Sequence, residues 1–157
     1  MKPTVYLETS VISYLTARPS RDLIVAAHQQ LTLDWWDAVR PRVDCFVSPF
    51  VVAEASMGDS AAAQKRIGAI AEFPVLEAGN EVRDLAEKYF GAIVLPDKAR
   101  VDSLHLAIAV RYGLDYLLSW NCKHIASGRV RKIVAEINEE LGIRTPVICT
   151  PEELMEV

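Results

Sequence analysis

An α/β fold, with a parallel sheet covered by helices on both faces, is what this sequence predicts, and three observations carry that reading. Short apolar runs recur along the chain at Val5-Tyr6-Leu7, Val43 to Val47, Pro74-Val75-Leu76, Asp115 to Ser119 and Pro146 to Cys149. Longer segments with apolar residues at helical spacing separate them. The runs are short and largely apolar, as expected of strands buried on both sides.

Taken in order, Val5-Tyr6-Leu7 is the first strand, and Thr9 or Ser10 caps a brief helix through Leu15. Ile24, Ala27, Leu31, Trp35 and Ala38 predict an amphipathic helix over 21–40, ended by Pro41. After the second strand, Ser48-Pro49 is a helix start, a capping hydroxyl followed by proline in the first turn. An Ala-rich helix spans 60–71 and Pro74-Val75-Leu76 is a third strand. Val82, Leu85, Ala86 and Tyr89 mark a surface helix. The helix from Pro96-Asp97 to Tyr112 is apolar almost all round, which predicts burial on more than one side. A fourth strand over 115–119 precedes the helix of Val130, Ile133, Val134, Ile137 and Leu141, ended by Gly142. The last strand, Pro146 to Cys149, leads into a helical turn at Thr150-Pro151-Glu152-Glu153.

The 157 residues, 51% of them apolar, fit one domain spanning 1–157. At this length roughly 70% of the unfolded surface can be buried, so folding needs no metal or disulfide staple. The net charge of −4, from 17 basic and 21 acidic residues, argues against a protein that coats duplex nucleic acid. It is compatible with a local basic rim around an acidic metal site, whose ligands count as negative until the cation arrives. Cys45, Cys122 and Cys149 are too few and too scattered for a disulfide framework or zinc cluster, and are expected to be free buried thiols. The start runs straight into a strand and no stretch reaches the roughly 20 apolar residues of a membrane span. A soluble protein of the reducing cytoplasm, without a membrane partner, is expected.

In open parallel sheets the functional crevice lies beyond the C-terminal strand ends. Glu8 directly follows strand one, Glu54 lies in the helix after strand two, Asp102 lies near the start of the helix leading to strand four, and Asn121 follows that strand. These four are the candidates for one site, and each has a plainer alternative. Glu8 can be a solvated strand-exit residue or a helix N-terminal anion; Glu54 can reach water or a partner. Asp102 can be a helix N-terminal charge, and Asn121 a turn or capping residue. His105, one turn from Asp102, reads more readily as a hydrogen-bonded core histidine than as a ligand. His28 and His124 share no metal-ligand spacing with the cysteines, which disfavours zinc.

Four segments together resemble the PIN-domain ribonucleases, especially the VapC-type toxins of toxin–antitoxin pairs, over essentially the whole chain. They are Val5-Tyr6-Leu7-Glu8-Thr9-Ser10, Ser48-Pro49-Phe50-Val51-Val52-Ala53-Glu54, Asp102-Ser103-Leu104-His105-Leu106-Ala107-Ile108-Ala109 and Leu117-Leu118-Ser119-Trp120-Asn121-Cys122-Lys123-His124. The resemblance implies a PIN-like three-layer α/β/α fold with a central parallel sheet of four or five short strands. It implies that Glu8, Glu54 and Asp102 hold Mg²⁺ or Mn²⁺ and, with Asn121, form the catalytic site of an endoribonuclease. Two positions depart from the usual pattern: Glu8 stands where Asp is typical, and Asn121 where Asp is frequent, which removes a charge and leaves a second ion poorly held. An antitoxin protein and a homodimer are the partners the resemblance implies besides RNA.

Hard cations prefer oxygen ligands, and three carboxylates without one repel each other and take up protons. Thr9 and Ser10 are placed to orient Glu8 or a metal-bound water. Lys123, His124, Arg129, Arg131 and Lys132 form a basic stretch beyond Asn121, and Lys98 and Arg100 precede Asp102. These are candidate phosphate contacts, although each taken singly is slightly better explained by a solvated helix face. Two other readings compete. One is a non-catalytic PIN-like module binding RNA or protein, its metal site weakened by Asn121. The other is a phosphotransferase, which wants an Asp followed two residues on by a second Asp, where this chain has Glu8-Thr9-Ser10.

Overall fold

The computed structural model describes residues 1–157. Four parallel strands, β1 (Thr4–Leu7), β2 (Asp44–Phe46), β3 (Tyr116–Leu118) and β4 (Val147–Cys149), form a sheet of order β2-β1-β3-β4. Val5 and Tyr6 of β1 pair with Cys45 and Phe46 on one side and with Tyr116 and Leu117 on the other. The predicted strand at Pro74-Val75-Leu76 contributes only a parallel bridge between Val75 and Val47, at the edge beyond β2.

Seven helices connect the strands: α1 (Thr9–Thr16), α2 (Leu23–Ala38), α3 (Pro49–Ala55), α4 (Ser60–Ile70), α5 (Asn80–Ile93), α6 (Arg100–Arg111) and α7 (Gly128–Leu141). Crossovers between parallel strands are right-handed, which sends α1 and α2 to one face and α5 to α7 to the other. The packing agrees, with α1 against α2 and α5 against both α6 and α7. The architecture is therefore the three-layer α/β/α arrangement that the sequence predicts.

Local chemistry explains the boundaries. Ser48 accepts from Val51 N with Pro49 in the first turn, Ser127 caps α7, and Gly142 ends it at a φ of 68°. Such a left-handed turn suits glycine. The equivalent position after α5 is Val94, with a φ of 60°, a strained choice for a β-branched residue. The Pro96–Tyr112 segment divides into a 3₁₀ turn and α6, along which Ser103 and His105 through Val110 are all buried.

One helix buries only part of the face its apolar spacing predicts: Trp35 is buried and Leu31 half-buried. On α2 the buried residues are Gln29, Thr32 and Trp35, while Ile24 is 69% exposed and Ala27 and Ala38 are exposed. Polar partners make that face suitable for burial: Thr32 accepts the Trp120 indole N–H at 2.7 Å, and Gln29 bridges Arg18 and Ser20. Cys45 and Cys149 are buried thiols as expected, pushed up to about 12 by burial, whereas Cys122 is exposed in the turn after Asn121.

Candidate functional site

The chain leaves β1 towards β2 on one side, and β3 enters on the other, so a crevice opens where the strand order reverses. Glu8 stands there. Its backbone N–H donates to Leu118 of β3 at 3.1 Å, extending the ladder. Glu8 itself caps α1, a role the sequence assigned to Thr9 or Ser10, because its carboxylate reaches the Ser10 N–H. It also accepts from the Ser10 and Ser119 hydroxyls, each at 2.5 Å, and is only 5% exposed.

Thr9 turns the other way and donates to Glu54 Oε1 at 2.7 Å. The same oxygen lies 2.7 Å from His105 Nε2, and His105 Nδ1 lies 2.6 Å from the Tyr6 hydroxyl, which lies 2.7 Å from Ser48 Oγ. A hydrogen-bonded chain thus runs Ser48–Tyr6–His105–Glu54–Thr9 through β1, α1, α3 and α6, buried except at the half-buried Glu54. His105 is the hydrogen-bonded core histidine that the sequence favoured, and it also fixes a site carboxylate. The ligand atoms of Glu8, Glu54 and His105 lie within 4.8 Å of one another. With Glu54 on Nε2 and Tyr6 on Nδ1, both ring nitrogens are occupied, which leaves the carboxylates as the available metal donors.

Asp102 lies outside that tight group. Its Oδ2 is 3.0 Å from His124 Nδ1, and the Asn121 side chain also favours its charged form. Asn121 Oδ1 accepts the His124 backbone N–H at 2.9 Å, the capping role proposed as its plainer alternative, while its own N–H donates to Ser119 Oγ.

None of the three carboxylates has a lysine or arginine partner; their only potential cations are His105 and His124. The consequences differ by position. Burial opposes the charge of Glu54, but hydrogen bonds from His105 and Thr9 and the His105 charge outweigh it and hold Glu54 below its ordinary value. Burial likewise opposes a charged His105, yet the Glu54 hydrogen bond and the fields of Glu8, Glu54 and Asp102 hold it above. For Asp102 burial wins, raising it despite His105, His124 and Asn121. Carboxylate oxygens and an amide, with no lysine or arginine beside them, make a donor set that fits Mg²⁺ or Mn²⁺ rather than a soft ion.

The predicted basic residues fall into two groups. Lys123 and Arg129 are exposed beyond Asn121. Arg131 instead donates to Ile148 O at 2.7 Å and pairs with Glu153 at 3.0 Å, and Lys132 sits 4.0 Å from Glu136. Arg100 pairs with Glu87 and stacks 3.9 Å over Phe90. Sequence reasoning did not single out Tyr6, Ser48 or Ser119 as partners of the site, and it placed His124 only among the candidate phosphate contacts. Only Ser119, adjacent to Asn121 at a strand end, carried a local signal.

The fold is a three-layer α/β/α domain whose candidate residues gather at the C-terminal end of a four-stranded parallel sheet. A chain in the crystal structure of VapBC2 from Rickettsia felis bound to a DNA fragment from their promoter is similar to it. The TM-score is 0.58 and the identity 12%, over 94% of this chain and 98% of that one. At that identity the likeness is one of fold, and it agrees with the resemblance carried by the four segments. No protein-family profile and no curated protein sequence matches the chain.

Proposed function

We propose that this chain is a divalent-metal-dependent endoribonuclease, the toxin of a toxin–antitoxin pair. The observation that carries the reading is the convergence of Glu8 and Glu54, flanked by Asp102, at the strand-end crevice with no lysine or arginine counterion. Glu8, Glu54 and Asp102 would hold Mg²⁺ or Mn²⁺, with Asn121 as a neutral neighbour. When bound, the ion supplies Lewis acidity and lowers the pKa of water at a phosphodiester. The chain's own residues supply the rest. Ser10 and Ser119 orient Glu8, Thr9 and His105 orient Glu54, and His124 orients Asp102.

Lys123 and Arg129 are free to meet substrate phosphates; Arg131 and Lys132 have partners of their own and contribute less. An antitoxin partner is suggested by the similar fold within VapBC2, and a homodimer and a cytoplasmic setting belong to the same reading. No helix is long and apolar enough to cross a membrane.

Calorimetric titration of Mn²⁺ and cleavage of single-stranded RNA with and without EDTA test the proposal. The wild type is expected to bind the ion and cleave, EDTA to stop cleavage, and Glu8→Gln to abolish both; a fully active Glu8→Gln protein overturns it. One observation favours a second reading, a binding module with a weakened site: the Asn121 amide oxygen is already engaged by His124. Asn121→Asp is expected to tighten Mn²⁺ about tenfold. A wild type without Mn²⁺-dependent cleavage that gains it through Asn121→Asp supports the module reading.

A further inference from the structure

A groove of about 490 Å³ lies between the C-terminal half of α1 and the start of α4, with Ser13, Thr16, Arg18, Asp59, Lys65 and Arg66 among its lining residues. It is within the size range of ligand clefts, and its position ties it to the acidic centre. Ser13 follows Thr9 by four residues, so the two side chains share one face of α1, about 6 Å apart along the axis. Thr9 is the residue that holds Glu54. The groove therefore begins about one helical turn from the carboxylates and extends away from them between α1 and α4.

Its charge is opposite to that of the centre. Arg18, Lys65 and Arg66 face a single carboxylate, Asp59, in a chain whose total is −4. Asp59 is engaged in capping α4 through Ala62 N at 2.9 Å. Arg66 is engaged by its Nε on Ala55 O and its Nη2 on Met57 O, which pins α4 to the end of the helix bearing Glu54. Arg18 and Lys65 are exposed and take part in none of the molecule's salt bridges. Two unpaired cations beside the Ser13 and Thr16 hydroxyls, one to two turns from the acidic centre, are suited to backbone phosphates.

We infer that the α1–α4 groove is a phosphate subsite for single-stranded RNA, in which Arg18 and Lys65 hold the backbone a nucleotide or two from the scissile bond. The inference rests on the nuclease reading and adds to it a phosphate contact besides Lys123 and Arg129.

The test uses a fluorescein-labelled 12-nucleotide single-stranded RNA in EDTA, with anisotropy followed across salt concentration, and separate Mn²⁺ calorimetry. Arg18→Ala with Lys65→Ala is expected to weaken RNA binding at least tenfold at low salt. Losing two contacts at roughly 0.7 each should flatten the slope of log affinity against log salt by about 1.4. Mn²⁺ affinity is expected to stay at the wild-type value. Lys2→Ala with Lys88→Ala, which removes equal charge elsewhere, is expected to leave the slope unchanged. An unchanged slope in the groove variant, or an equal loss in the control, overturns the inference while leaving the nuclease reading intact. So does a groove variant that loses binding of a labelled oligo-aspartate peptide but keeps RNA, which would mark an acidic protein partner. A wild type that binds no RNA in EDTA overturns the groove inference, whereas Mn²⁺ binding without Mn²⁺-dependent cleavage overturns the nuclease reading.

Discussion

At the N-terminal end of the sheet, Asp115 accepts from Thr4 N at 2.9 Å and Thr4 Oγ1 at 3.1 Å, and pairs with Arg144 at 2.6 Å. The Thr4 backbone bond, then the Arg144 hydrogen bond and charge, hold its carboxyl below the ordinary range. At the C-terminal end, burial raises Asp102 against the His105 charge and the partners His124 and Asn121, with no lysine or arginine beside it. The same residue type thus closes one end of the sheet and leaves charge unbalanced at the other. A carboxylate with a fixed cation contributes to the fold; one buried without a fixed cation keeps the capacity for a mobile one, at some cost to the metal-free protein.

The sharpest way to break that comparison is to neutralise each aspartate in turn. Asp102→Asn is expected to lower Mn²⁺-dependent RNA cleavage on the order of 1,000-fold, equivalent to several kcal/mol of barrier. Its metal-free stability should hold or rise. Asp115→Asn should leave cleavage alone and lower stability by about 1 kcal/mol, a modest figure because the pair is partly solvated and screened. Cleavage rates and urea midpoints of the two proteins read both effects, and a loss of cleavage in Asp115→Asn would contradict the division of roles.

Tyr6→Phe reaches the site from inside the core. It removes the hydroxyl between His105 and Ser48, leaving buried polar atoms unpaired at about 1–3 kcal/mol. Because His105 then holds Glu54 less firmly, Mn²⁺ affinity should fall roughly 10- to 100-fold. Calorimetry on protein shown to be folded separates the two, and unchanged affinity would leave the chain as core structure alone.

The smallest expected effect is in the pH dependence of the metal-free protein. Glu54 lies below its ordinary 4.5, so its stabilisation is present above that value and is lost as pH falls through its folded value. His105 lies above its ordinary 6.5, so its stabilisation is full below that value and is lost as pH rises through its folded value. Asp102 acts in the opposite sense to Glu54, since ionising it in the folded state costs stability above its ordinary 3.8. Stability in EDTA should therefore peak between 4.5 and 6.5, and Mn²⁺ should shift the peak upward by favouring the ionised carboxylates. Urea titrations at stepped pH, with and without Mn²⁺, test this; a metal-free maximum above pH 8 would contradict it.

Much of the fold was legible because its determinants are local. Ser48-Pro49 starts α3, Gly142 stops α7, and the spacing of Val82, Leu85, Ala86 and Tyr89 matches the buried face of α5. Where side chains from distant elements decide, local reading failed. The buried face of α2 takes in Thr32 and Gln29, whose polar atoms meet Trp120, 88 residues from Thr32, and the backbone at Arg18 and Ser20. The segment at Pro74 has strand character but only one bridge, since it lies at a sheet edge with little to pair against.

The sequence by itself determined the α/β alternation and brought Glu8, Glu54, Asp102 and Asn121 forward as candidates, because periodicity, capping chemistry and motif order are properties of neighbouring residues. Only the tertiary structure decided which atoms meet. Ser119 reaches Glu8 across 111 residues and His105 reaches Tyr6 across 99, and both contacts exist because β1 lies between β2 and β3. Likewise Arg131 is held to β4, while Arg18 and Lys65 line a common groove. Charge along a chain specifies what can bind phosphate, but the packing of helices specifies which cations are left unpaired to do so.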